Sequence, residues 1–208
     1  MPQQIVIFDM DGTLLSADST KIWLTQQLKS NPIRFIFALV VLPIAMLLMQ
    51  IKRFKGFGAS LFVWVATFGL SEHQLKTNFS KFAHALKGLN WFEDALATLN
   101  EHLAQNKRVI VVTAAPEWLA QALISSLHLN IEVLGTPLKP VLGGWVGGLH
   151  CRHEQKITRL KEIGITAPWF ATYSDDIEDD YPILSHCENA YLINSNAQHS
   201  KFKHLTWH

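Results

Sequence analysis

The sequence predicts an α/β fold built on a parallel sheet. Three short apolar runs carry this prediction: residues 5–9 (IVIFD), 108–113 (RVIVVT) and 169–173 (WFATY). Each has the length and composition of a strand that is buried on both faces. Segments with helical spacing of apolar residues lie between them, and strands that alternate with helices form parallel sheets.

The chain shows no strand signal between the first run and residue 106. We therefore expect residues 1–15 and 106–208 to form the α/β core, and residues 16–105 to form an all-helical insertion. Helices are predicted over residues 71–86, 91–105, 116–127 and 154–163, strands over residues 131–134 and 190–193, and a glycine-rich hairpin over residues 141–149.

The composition argues against three classes of protein. A content of 49% hydrophobic and 17% charged residues is unlike that of disordered chains, which combine low hydrophobicity with high net charge. A formal net charge of +1 argues against a nucleic-acid partner held by a strong positive field. Cys151 and Cys187 are too few for a disulfide scaffold, so a reduced, intracellular setting is expected.

The apolar excess lies in the helical insertion, in segments 33–51 and 61–70. A membrane-spanning helix needs about 20 apolar residues, so the first segment is borderline and the second is too short. Pro43 would kink a helix through the first segment. Between the segments, residues 52–57 join Lys and Arg to Phe, which favours contact with an anionic membrane surface. The alternative is a buried core helix.

Two carboxylates follow the first strand. Asp9 and Asp11 stand two residues apart in DMDGT, beside Gly12 and the hydroxyl of Thr13. Ligands of open α/β sheets bind at the carboxyl ends of the strands. Two close carboxylates repel each other unless a cation neutralises them. The pair could supply a nucleophile with an acid/base, a magnesium site, or both, and the alternative is an acidic turn.

Three later segments of the chain carry further candidate site residues. Thr113 and Ala114 lie at a turn where a following helix could direct backbone N–H groups at a phosphate. Lys156 lies early on a predicted helix, where the macrodipole does not favour a cation, which suggests that it neutralises a phosphate. Asp175 follows a buried strand and is placed for a magnesium ligand. The alternatives are an ordinary turn, a surface lysine and a solvated acidic loop.

In this order the four motifs resemble those of the haloacid dehalogenase-like phosphatases, and the resemblance covers the whole chain. It implies a Rossmann-like core with a helical cap of the first class, as in subfamily IB. A closer likeness is to the membrane-associated phosphatidylglycerophosphatase C branch, which removes phosphate from phosphatidylglycerol phosphate. That likeness rests on LP at 42–43, WVATFGLSE at 64–72, GGWV at 143–146 and YSD at 173–175.

The resemblance implies a magnesium-dependent phosphomonoester hydrolase with an aspartyl-phosphate intermediate. Asp9 would be the nucleophile, and Asp11 would protonate the leaving alcohol and then accept a proton from water. Thr113, Ala114 and Lys156 would bind the phosphoryl oxygens.

The resemblance also implies a Mg²⁺ site. Asp9 and Asp175 would bind the ion together with the backbone carbonyl of Asp11. The last motif is stretched, so its second acid is either Asp179 or Asp180, depending on where the motif is aligned.

The order of the motifs along the chain limits the membrane topology. Asp9 precedes the apolar segments and Thr113 follows them, yet both must line one site, so a single crossing is impossible. We expect a monotopic or re-entrant cap, with the core on the cytoplasmic face of the inner membrane and a phospholipid headgroup phosphate as substrate. Two alternatives stay open: a cytoplasmic phosphatase for a small phosphomonoester, such as a phosphoamino acid, and a non-catalytic membrane-associated binding protein.

Overall fold

The computed structural model describes residues 3–51, 55–86 and 91–208. Six parallel strands form the central sheet. They are β1 (Ile5–Phe8), β2 (Arg108–Pro116), β3 (Glu132–Thr136), β6 (Trp169–Ser174), β7 (Cys187–Ile193) and β8 (Lys203–Leu205), with a separate antiparallel hairpin of β4 (Leu138–Val141) and β5 (Gly144–Gly147). The order across the sheet is β3-β2-β1-β6-β7-β8, which confirms the predicted α/β class with a parallel sheet.

The register of the sheet brings three strand ends to one edge. Phe8, the last residue of β1, lies opposite Val111 of β2 and Tyr173 of β6. Because the strands are parallel, the residues that follow these positions leave the sheet on the same side. Asp9 therefore emerges between the ends of β2 and β6.

Within the described residues, five helices lie between β1 and β2, and three more follow β2. The five are α1 (Ser19–Lys29), α2 (Pro32–Gln50), α3 (Lys55–Thr67), α4 (Glu72–Ala85) and α5 (Glu93–Ala104). The others are α6 (Glu117–Ser126), α7 (Glu154–Glu162) and α8 (Ile177–Ser185). Sequence signals explain several helix starts: Asp18 caps α1, and Ser71 with Gln74 forms a capping box on α4.

The alternation of side chains along the central strand divides the core between the two faces of the sheet. Val6 and Phe8 join a cluster with Trp23, Phe79 and other side chains of the helices between β1 and β2. Ile7 points to the opposite face and joins Leu160 of α7 and further buried side chains. Both faces are covered by helices, which explains why the strand is apolar at every position.

The first apolar segment forms α2, which continues through Pro43. Most of its described apolar side chains are exposed, as in Ile33 (77%), Val40 (66%) and Leu47 (64%), whereas Ala38 and Ala45 are buried. Within the described ranges, no helix has both the length and the apolar character that are needed to cross a membrane. Residues 52–54 and the side chains of residues 55–57, where the basic patch was predicted, lie outside what the structure describes.

The structure differs from the sequence prediction at several elements, and the hairpin begins at Leu138, three residues before the predicted range of 141–149. β2 continues to Pro116, so α6 begins one residue later than expected. The acidic run after β6 begins a helix, α8, because Asp176 accepts hydrogen bonds from the backbone N–H groups of Glu178 and Asp179, and acids are favoured at a helix N-terminus. β8 was not predicted because it is short and mostly polar.

Candidate active site

A buried ion pair joins the end of β1 to α7. Nζ of Lys156 donates a hydrogen bond to Oδ1 of Asp9 over 2.6 Å, and the lysine is only 2% exposed. Burial by itself would lower the pKa of Lys156, but the charges of Asp180 and Asp9 outweigh burial and raise this pKa above its ordinary value. The lysine is therefore a fixed cation beside Asp9.

A second carboxylate completes this cluster. Asp180 of α8 is 1% exposed, and its Oδ1 lies 2.6 Å from Nζ of Lys156. Its Oδ2 accepts a hydrogen bond from the hydroxyl of Ser174 over 2.6 Å. The neighbouring Asp179 instead pairs with Arg152 at 2.9 Å, outside the cluster. The sequence left either Asp179 or Asp180 as the second acid of the last motif. The structure places Asp180 in the cluster with Asp9 and Lys156.

The turn after β1 is shaped around Asp175. Oγ1 of Thr13 donates a hydrogen bond to Oδ1 of Asp175 over 3.1 Å and accepts one from its backbone N–H over 3.0 Å. Gly12 has a φ of +87°, and a Cβ built there would lie 2.2 Å from Oδ2 of Asp175. Any other residue at position 12 would therefore displace the carboxylate.

Negative charge exceeds positive charge at this edge. Burial raises the pKa of Asp9, Lys156 opposes the rise, and the charges of Asp180 and Asp175 add to it. Burial likewise raises the pKa of Asp175 against the hydrogen bond from Thr13. Asp9 and Asp180 thus share Lys156, and Asp175 adds a further negative charge near Asp9, an arrangement that additional positive charge would stabilise.

Asp11 turns away from this cluster toward the first turn of α1. Its Oδ1 accepts a hydrogen bond from the backbone N–H of Ser19 over 3.0 Å, and its Oδ2 accepts one from the Ser19 hydroxyl over 3.1 Å. Burial raises the pKa of Asp11 to about 6, although the two bonds from Ser19 oppose it. A carboxyl group in this range can both donate and accept a proton near neutral pH.

Thr113 and Ala114 lie at the end of β2, one strand away from Asp9. Thr113 is buried, and its hydroxyl oxygen accepts a hydrogen bond from the backbone N–H of Ala115 over 3.1 Å. The carbonyl of Ala114 accepts one from the hydroxyl of Thr136 over 2.7 Å. These bonds fix the C-terminal part of β2 at the same edge as the carboxylates.

Two serines at the site were not identified from the sequence. Ser174 orients Asp180, and Ser19 holds Asp11. Because Ser174 directly precedes Asp175 at the strand end, its position in the sequence could have indicated that it lies at the site. Ser19 follows the helix-capping Asp18, but nothing in the sequence indicates that it turns toward Asp11.

The donor set at the edge fits a divalent cation of the magnesium type. Within the described residues, no group of three or more His, Cys, Asp or Glu side chains is arranged to hold a metal ion. Magnesium, however, takes only one or two carboxylates and completes its coordination with waters and substrate phosphate. Asp9 and Asp175, with the backbone carbonyl of Asp11, offer that smaller set beside the excess negative charge.

Comparison of the sequence with known proteins identifies the family of this chain. The model of the family described as haloacid dehalogenase-like hydrolase matches residues 6–185. The chain is 27% identical over 195 residues to Protein CicA of Caulobacter vibrioides, covering 91% of this chain and 86% of that protein.

Two solved structures share the fold. One is a protein of unknown function from Bordetella pertussis Tohama I, with 18% identity, 99% of both chains covered and a TM-score of 0.76. The other is a phospho-aspartyl intermediate analogue of phosphoserine phosphatase, with 14% identity, 94% of this chain and 88% of that chain covered, and a TM-score of 0.57. Since the family model spans most of the sequence, this chain belongs to the haloacid dehalogenase-like hydrolases.

Proposed function

We propose that this protein is a magnesium-dependent phosphomonoester hydrolase that forms an aspartyl-phosphate on Asp9. The observation that carries the proposal is the pair of buried contacts that Lys156 makes with Asp9 and with Asp180 at the carboxyl edge of the sheet. A carboxylate with a fixed cation beside it can receive a phosphoryl group whose charge the cation offsets.

The reaction has two steps. First, the Asp9 carboxylate attacks phosphorus, the bond from phosphorus to the substrate oxygen breaks, and Asp11 donates its proton to the departing alcohol. Next, Asp11 accepts a proton from water while the water oxygen attacks phosphorus, and the bond to Asp9 breaks to release phosphate. Thr113, Ala114 and Lys156 bind the phosphoryl oxygens.

When bound, Mg²⁺ would neutralise phosphoryl oxygens and help to orient the substrate. Asp9, Asp175 and the carbonyl of Asp11 are the groups that would hold it. The phosphoserine phosphatase of similar fold was studied as a phospho-aspartyl intermediate analogue, which supports a covalent step on an aspartate here.

The proposed substrate is the phosphate monoester of a membrane lipid, such as phosphatidylglycerol phosphate. The exposed apolar side chains of α2 support this choice, because a bilayer would cover them. Residues 19–71 contain no Asp or Glu and six basic residues: Lys21, Lys29, Arg34, Lys52, Arg53 and Lys55. Such a segment favours anionic lipid, with the core on the cytoplasmic face of the inner membrane.

A second candidate is a phosphatase for a small soluble phosphomonoester, because phosphoserine phosphatase structures share the fold. Phosphate release would decide between the two. We would compare phosphatidylglycerol phosphate in mixed micelles with water-soluble monoesters that include phosphoserine, with and without Mg²⁺. Preference for the lipid supports the first candidate and preference for phosphoserine the second, whereas no Mg²⁺-dependent release from any monoester would refute both.

A further inference from the structure

The tip of the β4–β5 hairpin has a sequence that is unusual for its backbone conformation. Leu142 and Gly143 form the two-residue loop with φ angles of +46° and +81°. Positive φ at both positions is the feature of a type I′ turn, which strongly prefers Asn-Gly or Asp-Gly. An L-residue with a bulky side chain is disfavoured at positive φ, and the Leu142 side chain is also 87% exposed. Neither feature stabilises the folded chain.

The hairpin is fixed against the C-terminal end of α3. Nε1 of Trp64 donates a hydrogen bond to the carbonyl of Val141 over 2.8 Å, and the backbone N–H of Gly69 donates one to the carbonyl of Gly143 over 2.7 Å. A Cβ built on Gly144 would lie 2.7 Å from the Trp64 ring, so the two elements are in close contact. The position of the tip is therefore set by the helical insertion.

The same end of α3 contacts α2. The ring centroids of Phe37 and Trp64 are 6.3 Å apart, and those of Trp64 and Phe68 are 5.0 Å apart. Phe37 and Phe68 are each about half exposed. We name the exposed row formed by Phe37, Phe68, Val141 and Leu142 the apolar strip, and it runs from α2 to the hairpin tip without a break.

The two stretches of sequence that carry the apolar strip contain no acidic residue. Residues 135–153, which include the hairpin, contain Lys139 and Arg152 but no Asp or Glu, like the acid-free stretch at residues 19–71. The acid nearest to the strip in the sequence is Glu72, which forms an ion pair with Lys76. This distribution complements an anionic surface that is apolar below its headgroups.

We infer that the β4–β5 hairpin is a second membrane-contacting element, which inserts Leu142 into an anionic phospholipid bilayer beside α2. The inference rests on the proposed action at a membrane surface. The hairpin leads directly into α7, which carries Lys156. Contact through both α2 and the hairpin would hold the catalytic edge at a fixed height above the lipid.

The substitution Leu142→Asn tests the inference without endangering the fold, because it creates the Asn-Gly pair that the turn prefers. We expect an unchanged or higher melting temperature, with about tenfold weaker binding to vesicles of phosphatidylglycerol and phosphatidylcholine in co-sedimentation. Leu142→Trp should retain binding, since Trp is favoured at membrane interfaces. His128→Asn is the matched control, because His128 is exposed with a φ of +58° at the end of α6.

The outcomes separate this inference from the proposed function. If Leu142→Asn binds vesicles as wild type does while Val40→Glu on α2 does not, the hairpin inference is wrong and the lipid proposal stands. Failure of wild type to bind these vesicles would overturn the inference, whereas hydrolysis of the lipid in mixed micelles would still decide the proposed function. All variants should hydrolyse a soluble monoester at the wild-type rate.

Discussion

Globular proteins usually bury apolar side chains and expose charged ones, and two regions of this chain depart from that rule. The candidate catalytic edge of the sheet buries charges, whereas α2 exposes apolar side chains. At the sheet edge, Lys156 and Asp180 are charged and almost fully buried; on α2, Ile33 and Val40 are apolar and mostly exposed. The buried charges compensate one another within 2.6 Å, so their partners belong to the chain. The exposed apolar residues of α2 have no such cover within the described part of the chain, and in the proposed function a bilayer would cover them.

This difference has energetic consequences. A buried charge that loses its partner is strongly destabilising, whereas an exposed apolar residue contributes little to folding. Substitutions at the sheet edge should therefore affect both activity and stability. Substitutions on the exposed face of α2 should affect association and leave the fold unchanged.

The largest effect is expected at Asp9. An amide in Asp9→Asn cannot form the covalent intermediate, so turnover should fall by at least about 10³-fold. The measurement is kcat with Mg²⁺ on the best water-soluble monoester, with circular dichroism to show that the variant is folded. Near-normal turnover would exclude the covalent route.

Removal of the buried Lys156 ammonium group should affect stability most. Lys156→Met leaves Asp9 and Asp180 facing each other in the interior, which should lower the free energy of unfolding by about 3–5 kcal/mol in urea denaturation. Lys161→Met, an exposed position on the same helix, should change it by less than about 0.5 kcal/mol.

The loss of folding stability caused by Lys156→Met should also depend on pH. Burial already raises the pKa of Asp9, and loss of the lysine would raise it further. The folded variant would then bind more protons than the unfolded chain, so its stability deficit should shrink as the pH falls from 7 toward 5. A deficit that widens on acidification would contradict the proposed charge balance.

The two acids of the last motif provide a smaller, paired comparison. Asp180→Asn keeps the shape of the side chain but removes the charge beside Lys156, so kcat should fall by about 10- to 100-fold. Asp179→Asn alters only partly exposed pairs with Arg152 and His153 and should change kcat by less than about twofold. Equal losses in both variants would show that the burial of Asp180 does not decide its role.

The smallest effect on the fold is expected on α2. Because Val40 is 66% exposed, Val40→Glu should change the free energy of unfolding by less than about 0.5 kcal/mol while it weakens vesicle binding. Val40→Leu should retain both properties. A loss of stability above about 2 kcal/mol would mean that Val40 is packed in the folded protein rather than available to lipid.

Sequence patterns identified the strands and the residues that follow them. The run IVIFD is apolar at each position up to Asp9, and this pattern predicts a strand covered on both faces, as β1 is. The helix α8 was missed because its first turn consists of acids, which resemble a solvated loop when read without the strand that precedes it. The second acid of the last motif stayed open between Asp179 and Asp180 because the stretched motif can be aligned from either of its ends.

By itself, the sequence determined the parallel α/β class, because that class depends on local apolar patterns. It also placed the candidate residues after particular strands. Only the tertiary structure decided which acid lies against Lys156, because α8 turns Asp180 inward and Asp179 outward, since successive helical residues point about 100° apart. Only the tertiary structure joined Ser19 to Asp11 and the hairpin tip to α3, because the first contact depends on the path of the chain after β1 and the second on packing between segments that are distant in the chain.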